Sequence, residues 1–365
     1  MFFARLISVS ALAFCPPFFL SQAEDRPIEL IPPELHGATQ PQVAVDEKAR
    51  VFVAFGKENS VHCAPSPDGG KTFATPRLVG SVPGKLALGM RRGPRVTASS
   101  GRVAISAISH GDGDLRVWTS DNGGTTWSQP ARINEVEKSA REGMHAMASD
   151  ATGQVALVWL DIRSGGMELW SAVSSDGGKT WGRNTRVYQS PDGHICECCH
   201  PSVAIDGRGE ISAMWRNWLD GSRDMYLAVS RDHGKNFADA TKLGSGTWKL
   251  NACPMDGGAM AFDAAGKPLT VWRRENSILT STGSAETELS KNGRHPVVAP
   301  CGSTAHHFWH EPAGLMWQRG KEPPRVLDRQ GTFVSAGSLP HQSGVIAVWE
   351  SEKQKAKTLM AQVVK

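Results

Sequence analysis

Five side chains able to hold a soft metal ion fall within seven residues, in His194-Ile-Cys196-Glu-Cys198-Cys199-His200. A second group, Cys253-Pro-Met255-Asp256, follows further along the chain. Thiolates and imidazoles at a near-tetrahedral point suit zinc or copper, and a thioether such as Met255 favours copper. The spacing matches no standard zinc finger, so a disulfide reading stands beside the metal one. Neighbouring Cys198 and Cys199 could pair only through a strained ring, and a simpler scheme joins one or two of the loop cysteines to Cys253. Both readings stay open here.

A second set is cationic. Arg91, Arg92, Arg141, Arg216 and Arg273 fall near segment ends, as do Arg274 and Arg294. A guanidinium fork binds a carboxylate bidentately, so these are candidates for holding an anion such as an acidic sugar. Glu142 and Asp161 could contribute carboxylate chemistry, but no residue takes a catalytic role from its spacing alone.

What positions these groups is a repeat. Ser66-Pro-Asp68-Gly-Gly70-Lys-Thr72-Phe73 returns as Ser120-Asp-Asn122-Gly-Gly124-Thr-Thr126-Trp127 and as Ser174-Ser-Asp176-Gly-Gly178-Lys-Thr180-Trp181. A fourth copy reads Ser230-Arg-Asp232-His-Gly234-Lys-Asn236-Phe237. In each, an Asp or Asn side chain can accept from nearby backbone N–H groups, and glycine takes a positive φ. Asp68, Asn122, Asp176 and Asp232 are therefore read as structural.

A second, longer pattern runs through the whole chain. Short strands end at Asp46, Ser99, Asp150 and Asp206, then less regularly at Asp263, Cys301 and Ser338. Most are followed by a Val/Ala-rich strand closing on Trp159, Trp215, Trp272, Trp309 or Trp349. A repeat of about 40–50 residues built from four short antiparallel strands predicts an all-β propeller. Seven blades are expected, or six if the last two copies merge. The last copy supplies three strands, and Ile28-Glu-Leu-Ile31 is placed as its missing outer strand. Cys196 lies ten residues before Asp206 and Cys253 ten before Asp263, which puts two thiols in the same slot of successive blades. His200 and His295 share the slot six residues before Asp206 and Cys301. Both slots belong to blade crossings, on the face opposite the Asp-containing turns.

The four turns resemble the Asp-box (bacterial neuraminidase repeat) family, whose best-known members are sialidases. The resemblance implies a sialidase-like propeller with its ligand at the axial mouth. It also implies an arginine cluster, a tyrosine nucleophile paired with a glutamate, and an aspartate acid/base. Arginines are present, and Arg26-Pro27-Ile28 only echoes the family's arginine-bearing motif. The chain has just 2 Tyr. Tyr226 stands where Trp170 stands one blade earlier, as a packing aromatic, and Tyr188 falls late in an outer strand. The nucleophile is thus not identifiable, and an exo-sialidase-like hydrolase is the alternative to a binding propeller. A disulfide-stapled scaffold is the third possibility.

Lys+Arg 40 against Asp+Glu 36 leave a net charge of +4, with no basic block to engage nucleic acid. Residues 1–23 read as a signal peptide: a basic start, an apolar run to Leu20, and Ser21-Gln22-Ala23 before the cut. The expected product is a periplasmic or secreted monomer spanning 24–365, with no membrane span. Its partner is a metal ion, a small ligand or a glycan at the mouth.

Overall fold

The computed structural model describes residues 26–282, 285–340, 344–353 and 356–365. The expected signal peptide, residues 1–23, lies outside them. The described chain forms seven four-stranded antiparallel sheets in a ring, a seven-bladed β-propeller rather than a six-bladed one. The innermost strands are Thr39–Val45, Arg95–Ser99, His145–Ser149, Ser202–Ile205, Gly258–Phe262, Arg294–Cys301 and Thr332–Ser338, defining blades 1 to 7 in order. Each blade then runs outward through consecutive strands. Blade 7 differs. Its three C-terminal strands are completed by Ile28–Glu29, with Ile28 opposite Ala361 on Ala356–Val364. The first and last segments of the ring thus share one sheet, and the inner strands of blades 1 and 7 lie side by side, leaving no open sheet edge between them.

The second strand of each blade is sandwiched between neighbouring blades, and most are largely apolar on both faces. Every residue of Val155–Asp161 and of Ile211–Arg216 is buried. Trp159, Trp215, Trp309 and Trp349 are fully enclosed near the ends of these strands. The indole N–H groups of Trp159, Trp309 and Trp349 donate to Asp161, Glu311 and Asp328 at 2.6–2.7 Å.

The Asp-containing turns join the third and fourth strands of blades 1 to 4. Asp68 Oδ1 accepts from Ser66 Oγ (2.8 Å), Lys71 N (3.1 Å) and Thr72 N (2.9 Å), while Oδ2 accepts from Thr72 Oγ1 (2.6 Å). The departures from this pattern keep donors and acceptors matched. Asn122 Nδ2 donates to Thr126 Oγ1 (2.8 Å) in the second copy. In the fourth, Asn236 Nδ2 donates to Asp232 Oδ2 (2.8 Å). Gly70, Gly124, Gly178 and Gly234 have φ of 81° to 91°, a region that a Cβ disfavours.

The two tyrosines stack on one another at 6.3 Å and lie 4.8 and 6.4 Å from Trp215. Tyr226 is a packed third-strand aromatic in Met225–Ser230. Cys63 is buried in the third strand of blade 1, and Cys301 closes the inner strand of blade 6.

Candidate functional site

The segment carrying Cys196, Cys198 and Cys199 crosses from blade 3 to blade 4. Its backbone is pinned on both sides: Ile195 N donates to Met167 O (2.9 Å), and Cys196 N donates to Arg216 O (3.1 Å). This anchoring turns the three thiols inward to a single point. The Cys196 sulfur lies 3.7 Å from that of Cys198 and 3.3 Å from that of Cys199, and all three fall within 4.8 Å of one another. Sulfurs at the corners of a tetrahedron with metal–sulfur bonds of about 2.3 Å are about 3.8 Å apart. The set is therefore close to ligand geometry. These separations are also too long for a bonded pair, since S–S is about 2.05 Å. All six described cysteines are free thiols.

Cys253, from the crossing between blades 4 and 5, lies close enough for its thiol to push that of Cys198 up. Cys196 and Cys253 hold the equal slots of adjacent blades, but it is Cys198 that the Cys253 thiol acts on. Cys253 is exposed, whereas Cys196 and Cys199 are each 1% exposed. Met255 packs against the thiol cluster, with a left-handed backbone (φ 56°) that is uncommon for a residue with a side chain.

The two expected imidazole ligands stand apart from this set. His194 is turned onto the Trp218 ring, 5.3 Å between centroids. His200 is turned toward the axis and presses on Gly257, where an added Cβ would meet the His200 carbonyl oxygen at 2.1 Å and its ring at 2.9 Å. Burial first, then Arg91 and Arg95, keep His200 neutral well below its ordinary titration range. The donors brought together are therefore sulfur alone.

Arg223, in the loop between the second and third strands of blade 4, is the cation nearest the thiols. Its Nη1 donates to the Cys196 sulfur at 3.0 Å, its Nε donates to Leu250 O at 3.2 Å, and its plane lies 3.9 Å from the Trp218 centroid. Hydrogen bonds from Cys198 and Cys199, followed by the charges of Arg223 and Arg216, hold the Cys196 thiol far below its usual range. Its bond to Cys196 pushes Cys198 up, and burial pushes Cys199 up.

The candidate anion-binding arginines have other occupations. Arg216 is 1% exposed and gives its donors to three backbone carbonyls: Nε to Asp256 (3.0 Å), Nη1 to Arg223 (2.6 Å) and Nη2 to Arg273 (2.8 Å). Arg91 donates to Val334 O (2.7 Å) and His295 O (2.6 Å). Arg273 Nε donates to Glu275 O (2.5 Å), and its Nη1 stands 3.8 Å from Asp256. Arg92 Nε donates to Glu142 O (2.6 Å). Arg141 is exposed, and Arg274 is held bidentately by Glu286 (2.7 and 2.9 Å). Asp161 is enclosed and accepts from Trp159, Ser139 and Arg163. Arg91, Arg92, Arg216 and Arg273 thus tie the crossings to neighbouring segments through backbone carbonyls.

Below the crossings, all seven innermost strands line an axial channel of about 220 Å³. Arg91, Arg95 and His200 project from its upper wall. Burial lowers Arg91 to about 10 and Arg95 to about 9, both still cationic at neutral pH. Asp256 is completely buried above, accepting from His295 N at 2.9 Å, with its other oxygen 3.7 Å from His295 Nδ1.

Sequence reasoning missed Arg223 as a partner of the thiols and Asp256 as the acid among the arginines. Arg223 does carry a faint signal, since it falls in a second-to-third-strand loop on the same face as the crossings. Nothing in the sequence marks Asp256 as buried.

No family model and no curated protein matches the chain. Solved structures do match as folds. A protein of unknown function from Dyadobacter fermentans superposes with a TM-score of 0.56 at 15% identity, covering 93% of this chain and 99% of that one. The α-L-arabinanase of Penicillium chrysogenum, complexed with arabinobiose, gives 0.57 at 13% identity over 93% and 98%. The NanB sialidase of Streptococcus pneumoniae gives 0.52 at 11% identity over 90% and 68%. At such identities the likeness is one of fold.

Proposed function

We propose that the chain is an exported propeller whose Cys196–Cys198–Cys199 cluster binds one soft metal ion, copper(I) or zinc. The observation that carries this reading is three mutually adjacent, buried thiol sulfurs within 4.8 Å, together with a thioether and no carboxylate in the set. Soft sulfur donors select these ions over magnesium or calcium, which want oxygen. Binding replaces thiol protons with the metal, so uptake releases protons and strengthens as pH rises. Arg223 and Arg216 offset the negative charge that three thiolates would gather around the ion, and Arg223 orients the Cys196 sulfur from outside the ligand set. The leader-like segment 1–23 supports export.

Hydrolysis of an acidic sugar has less support. Its arginines are committed to backbone carbonyls, and both tyrosines pack on Trp215. The test is anaerobic titration of the reduced protein with copper(I), and separately with zinc, against a chromophoric chelator. One ion per chain is expected, with retention lost in Cys199→Ser and weakened about 10–100-fold in Arg223→Met. Failure of the wild-type protein to compete for either ion would overturn the reading.

A further inference from the structure

The four thiols of the mouth are not equivalent, and their inequality has a direction. Cys253 is exposed, Cys198 is 8% exposed, and Cys196 and Cys199 are 1% exposed. The Cys253 thiol is close enough to act on Cys198, yet it is not part of the set whose sulfurs all lie within 4.8 Å. The inner pair has no contact with solvent of its own through which an ion could arrive. Met255, two residues beyond Cys253, lays its side chain on the inner cluster. Cationic Arg223 and Arg216 act on the inner end, where Arg223 touches Cys196.

We propose, resting on the metal-site reading above, that Cys253 is a port. It takes copper(I) from a thiolate complex in solution and passes it through Cys198 to Cys196 and Cys199, without remaining a ligand of the filled site. The chemistry is ligand exchange. The Cys253 thiol gives up its proton and its sulfur bonds to copper as one donor-thiolate bond to copper breaks, and the departing thiolate takes the proton. Cys198 displaces the second donor thiolate in the same manner. Cys196 and Cys199 then give up their protons and bond to the ion as the Cys253 sulfur is released; one proton goes to the Cys253 thiolate and the other to solvent. Copper stays at +1 throughout, so no oxidant or reductant is required. Sulfur-to-sulfur exchange of this kind avoids releasing a free ion, and the cationic inner end favours an increasingly anionic thiolate complex.

The experiment compares the full-length mature protein with its Cys253→Ser variant, the position being exposed and so tolerant of change. Equilibrium affinity is read by competition with bicinchoninate, and the loading rate by stopped-flow absorbance with copper(I)–glutathione as donor. The proposal expects affinity within about threefold of wild type and loading slowed about tenfold or more. Equal loading rates would overturn the port while leaving the metal site standing. A loss of affinity of about 100-fold would also overturn it, by making Cys253 a permanent ligand. So would a Cys198–Cys253 disulfide in protein isolated from its own compartment. Should wild-type protein take up no copper(I), the site reading itself fails, which the affinity arm reports separately. As a control, Cys198→Ser should lose affinity and rate together.

Discussion

Replacing Arg216 by methionine tests whether the arginines of the mouth hold the structure together or hold a ligand. Arg216 spans three segments: the crossing at Asp256, the loop at Arg223 and the second strand of blade 5 at Arg273. Its own carbonyl accepts from Cys196 N, so it also anchors the thiol segment. Methionine fills comparable volume but leaves three buried carbonyls without donors and removes a positive charge beside buried Asp256. A hydrogen bond to a charged group contributes about 1.5–3 kcal/mol, and part of that is recovered by relaxation, which puts the loss at about 3–5 kcal/mol. A folded body of about 340 residues has an unfolding entropy near 0.7 kcal/mol/K, so Tm should fall by about 4–7 °C. Calorimetry of Arg216→Met beside Arg141→Met, an exposed control expected to melt like wild type, measures this. A variant melting within about 1 °C of wild type would refute the structural role and return Arg216 to the pool of ligand-binding residues.

Two further outcomes are expected. Asp68→Ala removes the acceptor of four hydrogen bonds in the first turn and should cost about 1–2 kcal/mol in urea unfolding, where a null effect would contradict the structural reading of these aspartates. Burial, above all, lowers His295 to about 3 and His307 to about 4, so both are neutral in the fold, whereas the unfolded chain protonates them below about 6.5. Because the unfolded state binds more protons there, stability is full above pH 6.5 and falls as pH drops toward the folded values. At pH 5.5 the two together should cost about 3 kcal/mol, visible as a lower urea midpoint than at pH 7; equal midpoints would refute it.

The seven blades were legible because each repeats an inner hairpin with a buried second strand, four with the Asp-containing turn and five with a tryptophan near that strand's end. Physical repetition leaves repetition in the sequence, and even the eroded copies ending at Cys301 and Ser338 retain the inner hairpin. The slot argument went part of the way: equal offsets from Asp206 and Asp263 pair Cys196 with Cys253, and in the fold it is Cys198, two residues on, that Cys253 acts on. It failed for the histidines. Offset gives position along a crossing but not the direction of a side chain, and in the fold His200 points to the axis while His194 meets the Trp218 ring at a tilt. It failed too for the arginines. A backbone carbonyl can belong to any residue, so the partners of Arg216 and Arg91 leave no trace in residue types. Asp256 and Arg223 take their places only where crossings and loops from neighbouring blades meet at the mouth.

The most direct measurement is elemental analysis joined to X-ray absorption on protein purified under reducing, oxygen-free conditions after exposure to copper(I) or zinc. The expected result is one ion per chain in a shell of sulfur alone at about 2.2–2.3 Å, absent when Cys196, Cys198 and Cys199 are all serine. Metal-free protein with its three thiols intact, or an ion held by nitrogen and oxygen, would contradict the account.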